Sequence, residues 1–131
     1  MARQSEYINI INKVLGQLRD QVLNLLDDLL SICPNEPDIL LVRLFFENQI
    51  DPETLMEGFI KWVYPWQDYI KEHNKKYFEE NEHIFGPLPV DKVQYFKIKM
   101  EDGTFDHEDK EIIWKYFEVF ISLIEQYNKI K

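Results

Sequence analysis

The chain has 131 residues, of which 45% are hydrophobic, 15% aromatic and 30% charged, and its formal charge at pH 7 is −9. This size and apolar content fit one globular domain with a sizeable core and exclude a disordered chain. Only 4 glycines and 6 prolines exclude a collagen-like or low-complexity protein. The acidic balance does not favour direct binding of nucleic acid, because neutralising phosphates requires positive charge.

Cysteine content and the amino-terminal sequence bear on location. Cys33 is the single cysteine of the sequence, so an internal disulfide is excluded and a reducing compartment is expected. Residues 1–6 contain no apolar secretory core, and no uncharged stretch approaches the roughly 20 residues of a membrane-spanning helix. We therefore expect a soluble, intracellular protein without a membrane span.

The first segment predicts a long amphipathic helix over residues 5–32, about 40 Å in length at about 1.5 Å per residue. Ser5 is the expected N-cap, and Cys33-Pro34 ends the helix because the residue before a proline avoids the helical region. The apolar side chains recur at alternating steps of three and four, which is the heptad seam of a coiled coil. Such a seam packs within its own chain or against a second copy, so self-association through this helix is one hypothesis. The seam comprises Ile8, Ile11, Leu15, Leu18, Val22, Leu25, Leu29 and Ile32.

The middle of the chain predicts shorter helices that begin at capping residues followed by proline, as in residues 35–38 and 51–53. The pair Tyr64-Pro65 should interrupt or kink the helical pattern. Residues 81–89 hold Gly86 and two prolines, so they predict a loop whose apolar residues pack on the bundle. Residues 95–100 also alternate with the period of a strand. The predicted helices are residues 37–48, 52–63, 65–80 and, with that ambiguity, 90–101.

The last helix, residues 107–130, is expected to begin at the N-cap Asp106 after a turn at Asp102-Gly103. Between Ile112 and Ile124 nearly every residue outside a narrow polar stripe is apolar or aromatic. A helix that is apolar around most of its circumference is buried on most sides. This helix should therefore lie at the centre of the domain or meet a partner.

The histidines and the cysteine match no known reactive pattern. His73, His83 and His107 fit no zinc-binding spacing and are expected to be solvated loop residues. Cys33 has no histidine or lysine close in sequence to lower its pKa, so we expect a small, partly buried side chain. We predict no catalytic residue, no metal site and no cofactor.

The acidic stretch of residues 101–109 invites comparison with a calcium-binding loop. An EF-hand requires glycine at its sixth position and glutamate at its twelfth. Taking Gly103 as the sixth residue places Ile98 first and Asp109 twelfth, so the pattern fails. A turn followed by a helix start is the expected structure.

Aromatic residues supply the candidate interaction surface. They are densest between residues 62 and 69, and their commonest fate is burial in a core, although tyrosine and tryptophan also anchor protein interfaces. Two tryptophans of this group would share a helix face if the helix continued through Pro65. The apolar loop contributes two further candidates. The six candidate interaction residues are Trp62, Tyr64, Trp66, Tyr69, Phe85 and Leu88.

Four segments share a pattern with a known group: residues 32–39 (ICPNEPDI), 51–59 (DPETLMEGF), 63–66 (VYPW) and 77–81 (YFEEN). With the long amphipathic first helix, they resemble small uncharacterised helical proteins of giant (nucleocytoplasmic large DNA) viruses, over roughly residues 5–90. The resemblance implies a viral origin and a place in the host cytoplasm, a virus factory or the virion. It supplies no catalytic residues.

We therefore predict an all-α fold, a single-domain bundle over residues 1–131 with five or six helices and long first and last helices. The expected function is that of a non-enzymatic structural or scaffolding protein, associated with the virion, that acts through protein–protein contacts of apolar helical faces. Its partner would be another protein or a second copy. The alternative is a regulatory adaptor of viral transcription or replication that binds a host or viral protein.

Overall fold

The computed structural model describes residues 2–88 and 90–131, with side chains from residue 5 onward, and these residues form helices around one hydrophobic core. The described residues contain no strand, so the predicted all-α fold with long first and last helices is confirmed. Two tight turns supplement the α-helices: α2 passes directly into a π-helical turn, Phe45–Gln49, and a 3-10 turn, Tyr64–Trp66, joins α3 to α4. The α-helices are α1 (Ala2–Ile32), α2 (Pro37–Leu44), α3 (Pro52–Trp62), α4 (Gln67–Lys71), α5 (Lys76–Glu80), α6 (Val90–Glu101) and α7 (His107–Ile130).

Helix α1 packs within its own chain, against α7, α2 and α3. Two tyrosine hydroxyls connect it to α7: Tyr116 donates to Asp28 Oδ2 at 2.5 Å, and Tyr7 donates to the carbonyl oxygen of Ile130. The two connections show that α1 and α7 run antiparallel. Ser5 lies inside α1, so the prediction that it caps the helix is wrong. The buried seam positions of α1 are Leu15, Leu18, Val22, Leu25 and Leu29.

Carboxylates begin two helices as predicted. Asp51 caps α3, where its Oδ1 accepts the backbone N–H of Thr54 at 2.9 Å, and the hydrogen bonds from Thr54 lower the pKa of Asp51. Asp106 and Asp109 form a reciprocal capping box at the start of α7. At α2 the N-cap is Glu36, whose side chain makes no capping hydrogen bond.

The predicted uninterrupted helix over residues 65–80 is wrong. Pro65 lies in the 3-10 turn, and α4 ends before His73, which adopts the left-handed conformation with φ of 52°. The chain reverses there, and the N–H of Asn74 donates to the carbonyl oxygen of Tyr69, five residues earlier, at 2.8 Å. An α-helix joins residues four apart, so this wider turn ends the helix. When α4 and α5 are counted as halves of one broken helix, the described residues form six helical segments, as predicted.

The loop after α5 interlocks with α3, which confirms that its apolar residues pack on the bundle. Gly58 and Gly86 permit this close approach: a Cβ at Gly58 would lie 2.7 Å from Pro87 Cδ, and one at Gly86 would lie 2.5 Å from Phe59 Cδ1. The side-chain amide of Asn81 donates to a carbonyl at the end of α3 at 2.9 Å. Residue 89 of the predicted loop lies outside the described residues.

Tyr77 holds the same loop from the side of the core. Its ring is fully buried, and its hydroxyl donates to the carbonyl of Ile84 at 2.7 Å. Burial raises the pKa of Tyr77 well above its usual value. The hydroxyl therefore stays protonated as a donor well above the pH at which an exposed tyrosine ionises.

We expect Tyr77→Phe to lower the free energy of unfolding by about 1–2 kcal/mol, because the Ile84 carbonyl loses its donor inside the core. Denaturant unfolding measures this difference. Tyr64→Phe is the control, since the half-buried Tyr64 hydroxyl makes no hydrogen bond to the described residues. A raised folded-state pKa contributes stability that is present below about pH 10 and lost as pH rises further. The free energy of unfolding of Tyr77→Phe should therefore fall less than that of the wild type when the pH rises above about 10. An equal fall for the two proteins would contradict this account.

The final two helices bear on two predictions, the secondary structure of residues 90–101 and the burial of α7. Residues 90–101 form helix α6, so the strand alternative is wrong, and its buried residues Val93 and Phe96 stand at helical spacing. Helix α7 packs against α1, α3 and α4, but it is buried on one side only, because Ile112 and Val119 on its outer side are 42% and 40% exposed. The expectation that α7 is buried on most sides is therefore wrong. Its buried side chains are Ile113, Trp114, Phe117, Phe120, Ile121, Leu123, Ile124 and Tyr127.

Candidate functional site

The first predicted site residue, Trp62, is half-buried at the end of α3. Its indole stacks on the imidazole of His83, with ring centroids 4.7 Å apart, and Lys61 Nζ lies 4.8 Å from the indole centroid. Both neighbours are polar, so Trp62 is covered at the surface rather than inserted into the core. This stack also changes the expectation for His83, which is half-buried against an aromatic ring rather than fully solvated.

The next three candidates surround the 3-10 turn. Tyr64 and Trp66 are half-buried, and Tyr69 is 36% exposed. The Trp66 ring packs on Tyr69 and Tyr77, with centroid distances of 5.2 and 6.2 Å. Trp66 thus forms an outer layer of the core. The turn also means that no continuous helix face joins it to Trp62.

The last two candidates are not on the surface. Phe85 and Leu88 are only 2% and 1% exposed, so the prediction that they take part in an interaction surface is corrected. The physical reason is the interlocked loop, which turns Phe85 inward against Phe96 and Phe117, with centroid distances of 4.8 and 5.7 Å. These two residues bury the loop instead of presenting it to a partner.

His73 is the best-connected titratable group of this region, which corrects the expectation of a solvated loop residue. Its imidazole lies parallel to the indole of Trp114, with centroids 5.3 Å apart. Nδ1 is 3.2 Å from Glu111 Oε2, and Nε2 contacts Glu118. The side chain therefore fastens the reversal between α4 and α5 onto α7. His107, whose side chain is 87% exposed, is solvated as predicted.

Cys33 is half-buried where α1 ends, as expected from the sequence. Burial, followed by the nearby charge of Glu36, raises the pKa of the Cys33 thiol, so the unreactive protonated form dominates at neutral pH. Within the part of the chain that the structure describes, no three His, Cys, Asp or Glu side chains are grouped closely enough to hold a metal ion.

An exposed apolar face on α2 is the surface feature that the sequence interpretation missed. Leu40, Leu41 and Leu44 are 49%, 53% and 40% exposed, whereas Ile39 and Val42 on the opposite side of the helix are buried in the core. Helix α2 is thus apolar on both sides, a pattern typical of helices that are covered all round. We call Leu40, Leu41 and Leu44 the α2 face.

A groove runs beside the α2 face and has a volume of about 340 Å³. Leu41, Phe45 and the edge of Leu88 form its apolar walls, and Gln49 and Lys92 add polar groups. This combination of apolar walls with a few polar groups is typical of binding sites.

Arg43, also on α2, is already neutralised. Its Nε lies 2.6 Å from Asp27 Oδ1, and it also pairs with Glu47, so the pKa of Arg43 is raised above its usual value chiefly by the hydrogen bond to Asp27. The charge on this helix is therefore directed toward α1. The α2 face itself presents only leucine side chains.

A signal for this face exists in the sequence. Residues 39–42 are four consecutive apolar residues on a predicted helix, and a helix of that pattern cannot hide all four side chains on one side. The interaction surface was predicted at the aromatic residues 62–69 instead, because aromatic residues are the usual anchors of protein interfaces.

Comparison of the chain with protein-family models, curated proteins and solved structures finds no match. None of the helices in residues 2–88 and 90–131 combines the length and apolarity required to cross a bilayer.

Proposed function

We propose that this protein is a non-enzymatic structural or scaffolding protein that acts through protein–protein contacts of apolar helical faces. The α2 face is the proposed contact surface. The observation that carries the proposal is that three adjacent leucines on one short helix are 40–53% exposed, while Ile39 and Val42 anchor the other side of that helix in the core.

Solvation favours covering this face. Full burial of a leucine side chain contributes about 1.5–3 kcal/mol, so covering three half-exposed leucines would contribute about 3 kcal/mol. Contiguous apolar surface of this kind marks interaction sites, whereas single scattered apolar residues do not. Apolar side chains are exposed on other helices as well, but the groove lies beside the α2 face. Among these side chains are Tyr7, Ile8 and Ile10 on α1, Ile98 on α6, and Ile112 and Val119 on α7.

The viral resemblance supports a finer proposal, that the protein is a component of the virion or of the virus factory. The alternative proposal is a regulatory adaptor of viral transcription or replication, and the small size of the α2 face favours such a transient contact. Mass spectrometry of purified particles distinguishes the two, because a scaffold is abundant in particles and an adaptor is not.

A triple substitution tests the contact surface. We expect the combined substitutions Leu40→Gln, Leu41→Gln and Leu44→Gln to prevent most partner proteins from co-purifying with the tagged chain. Burying the glutamine amides in a contact would cost free energy, because they would lose their hydrogen bonds to water. The exposed side chains allow the variant to fold, which circular dichroism verifies. The matched control replaces Ile98, Ile112 and Val119, which are 59%, 42% and 40% exposed, with glutamine. Identical co-purifying proteins for the two variants would contradict the proposal.

A further inference from the structure

The groove beside the α2 face carries a lone cation. Lys92 is half-buried in its wall, and among the described residues no carboxylate lies within ion-pairing distance of Lys92 Nζ. Arg43, on the other side of α2, is by contrast paired with both Asp27 and Glu47. Most lysines of the described chain are likewise without an ion pair, but Lys92 is the one charged residue that lines the groove. The charge of the groove is therefore complementary to an acidic side chain of a partner.

The volume of the groove suits the side chains of a helix. At about 30 Å³ per water molecule, 340 Å³ corresponds to about ten waters over apolar walls, which a few large apolar side chains would displace. Amphipathic helices bind such grooves through apolar residues at positions i, i+3 or i+4, and i+7.

We propose that the groove and the α2 face bind an amphipathic α-helix of a partner protein, which inserts apolar side chains beside Leu41 and Phe45 and places an acidic side chain against Lys92. This inference rests on the proposed function and names the partner's chemistry.

A second copy of this chain fits less well. Helix α2 has eight residues and is about 12 Å long at about 1.5 Å per residue, so two such faces in contact cover far less than the roughly 800 Å² per partner of a stable interface.

The test is selection from a displayed library of random peptides of about 16 residues, or about four helical turns, against the full chain. Selected peptides are then measured by fluorescence anisotropy against the wild type, Leu41→Gln, Lys92→Glu and the control Ile98→Gln. We expect the selected peptides to carry apolar residues at the spacing of one helix face and an acidic residue at one fixed position. Leu41→Gln and Lys92→Glu should each weaken binding about tenfold, and Ile98→Gln should not. A peptide whose acidic residue is replaced with lysine should regain affinity for Lys92→Glu.

Each other outcome overturns the inference in a distinguishable way. If Leu41→Gln weakens binding but charge exchange at Lys92 rescues nothing, the acidic helix is excluded while the proposed function stands. If neither substitution at the groove matters, or no peptide is enriched, the acidic helix is excluded as well, and the co-purification experiment decides the proposed function by itself. If light scattering shows a dimer that Leu41→Gln converts to a monomer, the occupant is a second copy.

Discussion

Replacing Phe117 with alanine is expected to lower the free energy of unfolding by about 3–5 kcal/mol. Phe117 is fully buried on α7, and its ring meets those of Tyr77, Phe78 and Phe120 at centroid distances of 5.3, 5.5 and 5.2 Å. The substitution leaves a cavity that rigid neighbouring rings cannot fill, and it removes several edge-to-face contacts at once.

Chemical denaturation measures this loss, and Val119→Ala is the control on the same helix. Val119 is 40% exposed, so its truncation should change the free energy of unfolding by about 0.5 kcal/mol or less. Domains of this size are stable by about 5–15 kcal/mol, so the Phe117 variant should be partly unfolded or markedly less stable to heat. Equal effects of the two substitutions would show that Phe117 is not packed in the core.

Gly86→Ala is expected to lower the free energy of unfolding by about 2–4 kcal/mol. Gly86 has φ of 63°, a conformation that a Cβ disfavours, and the new Cβ would lie 2.5 Å from Phe59 Cδ1. Phe59 cannot move aside, because it is fully buried and packs on Phe120 with a centroid distance of 5.4 Å. The loop would have to detach from α3 to accept the methyl group.

Two further glycines separate the causes. Gly103 has φ of 85° but open space around it, so Gly103→Ala should show only the conformational cost of about 1–2 kcal/mol. Gly16 lies within α1, where an added methyl group would meet open space, so Gly16→Ala should stabilise the protein by up to about 1 kcal/mol. If Gly86→Ala lowers the free energy of unfolding no more than Gly103→Ala does, Phe59 moves aside at little cost.

Features encoded by neighbouring residues were predictable from the sequence. The caps at Asp51 and Asp106 depend on residues three positions away, and the seam of α1 depends on the helical period. Both are properties of a short window, so the sequence predicted the all-α fold and most helix boundaries. The break at His73 was missed because it depends on Trp114 and two glutamates far away along the chain.

The candidate surface was harder to predict than the fold. Which apolar residues remain exposed depends on how the helices assemble, and that arrangement is fixed by contacts between distant segments. Phe85 and Leu40 are both apolar residues near proline-rich turns, yet the loop packs the first against Phe117 while the second faces water. Which residues of α2 are buried and which form the α2 face is decided by the packing of α2 on α1 and α6.

The pairing of α1 with α7 has a consequence for biosynthesis. The ribosome makes α1 before α7, so the part of the leucine seam that α7 covers stays uncovered until α7 has been made, whereas α2 and α3 can cover their part earlier. Chains truncated before α7 would therefore expose that part of the seam to aggregation or to chaperones.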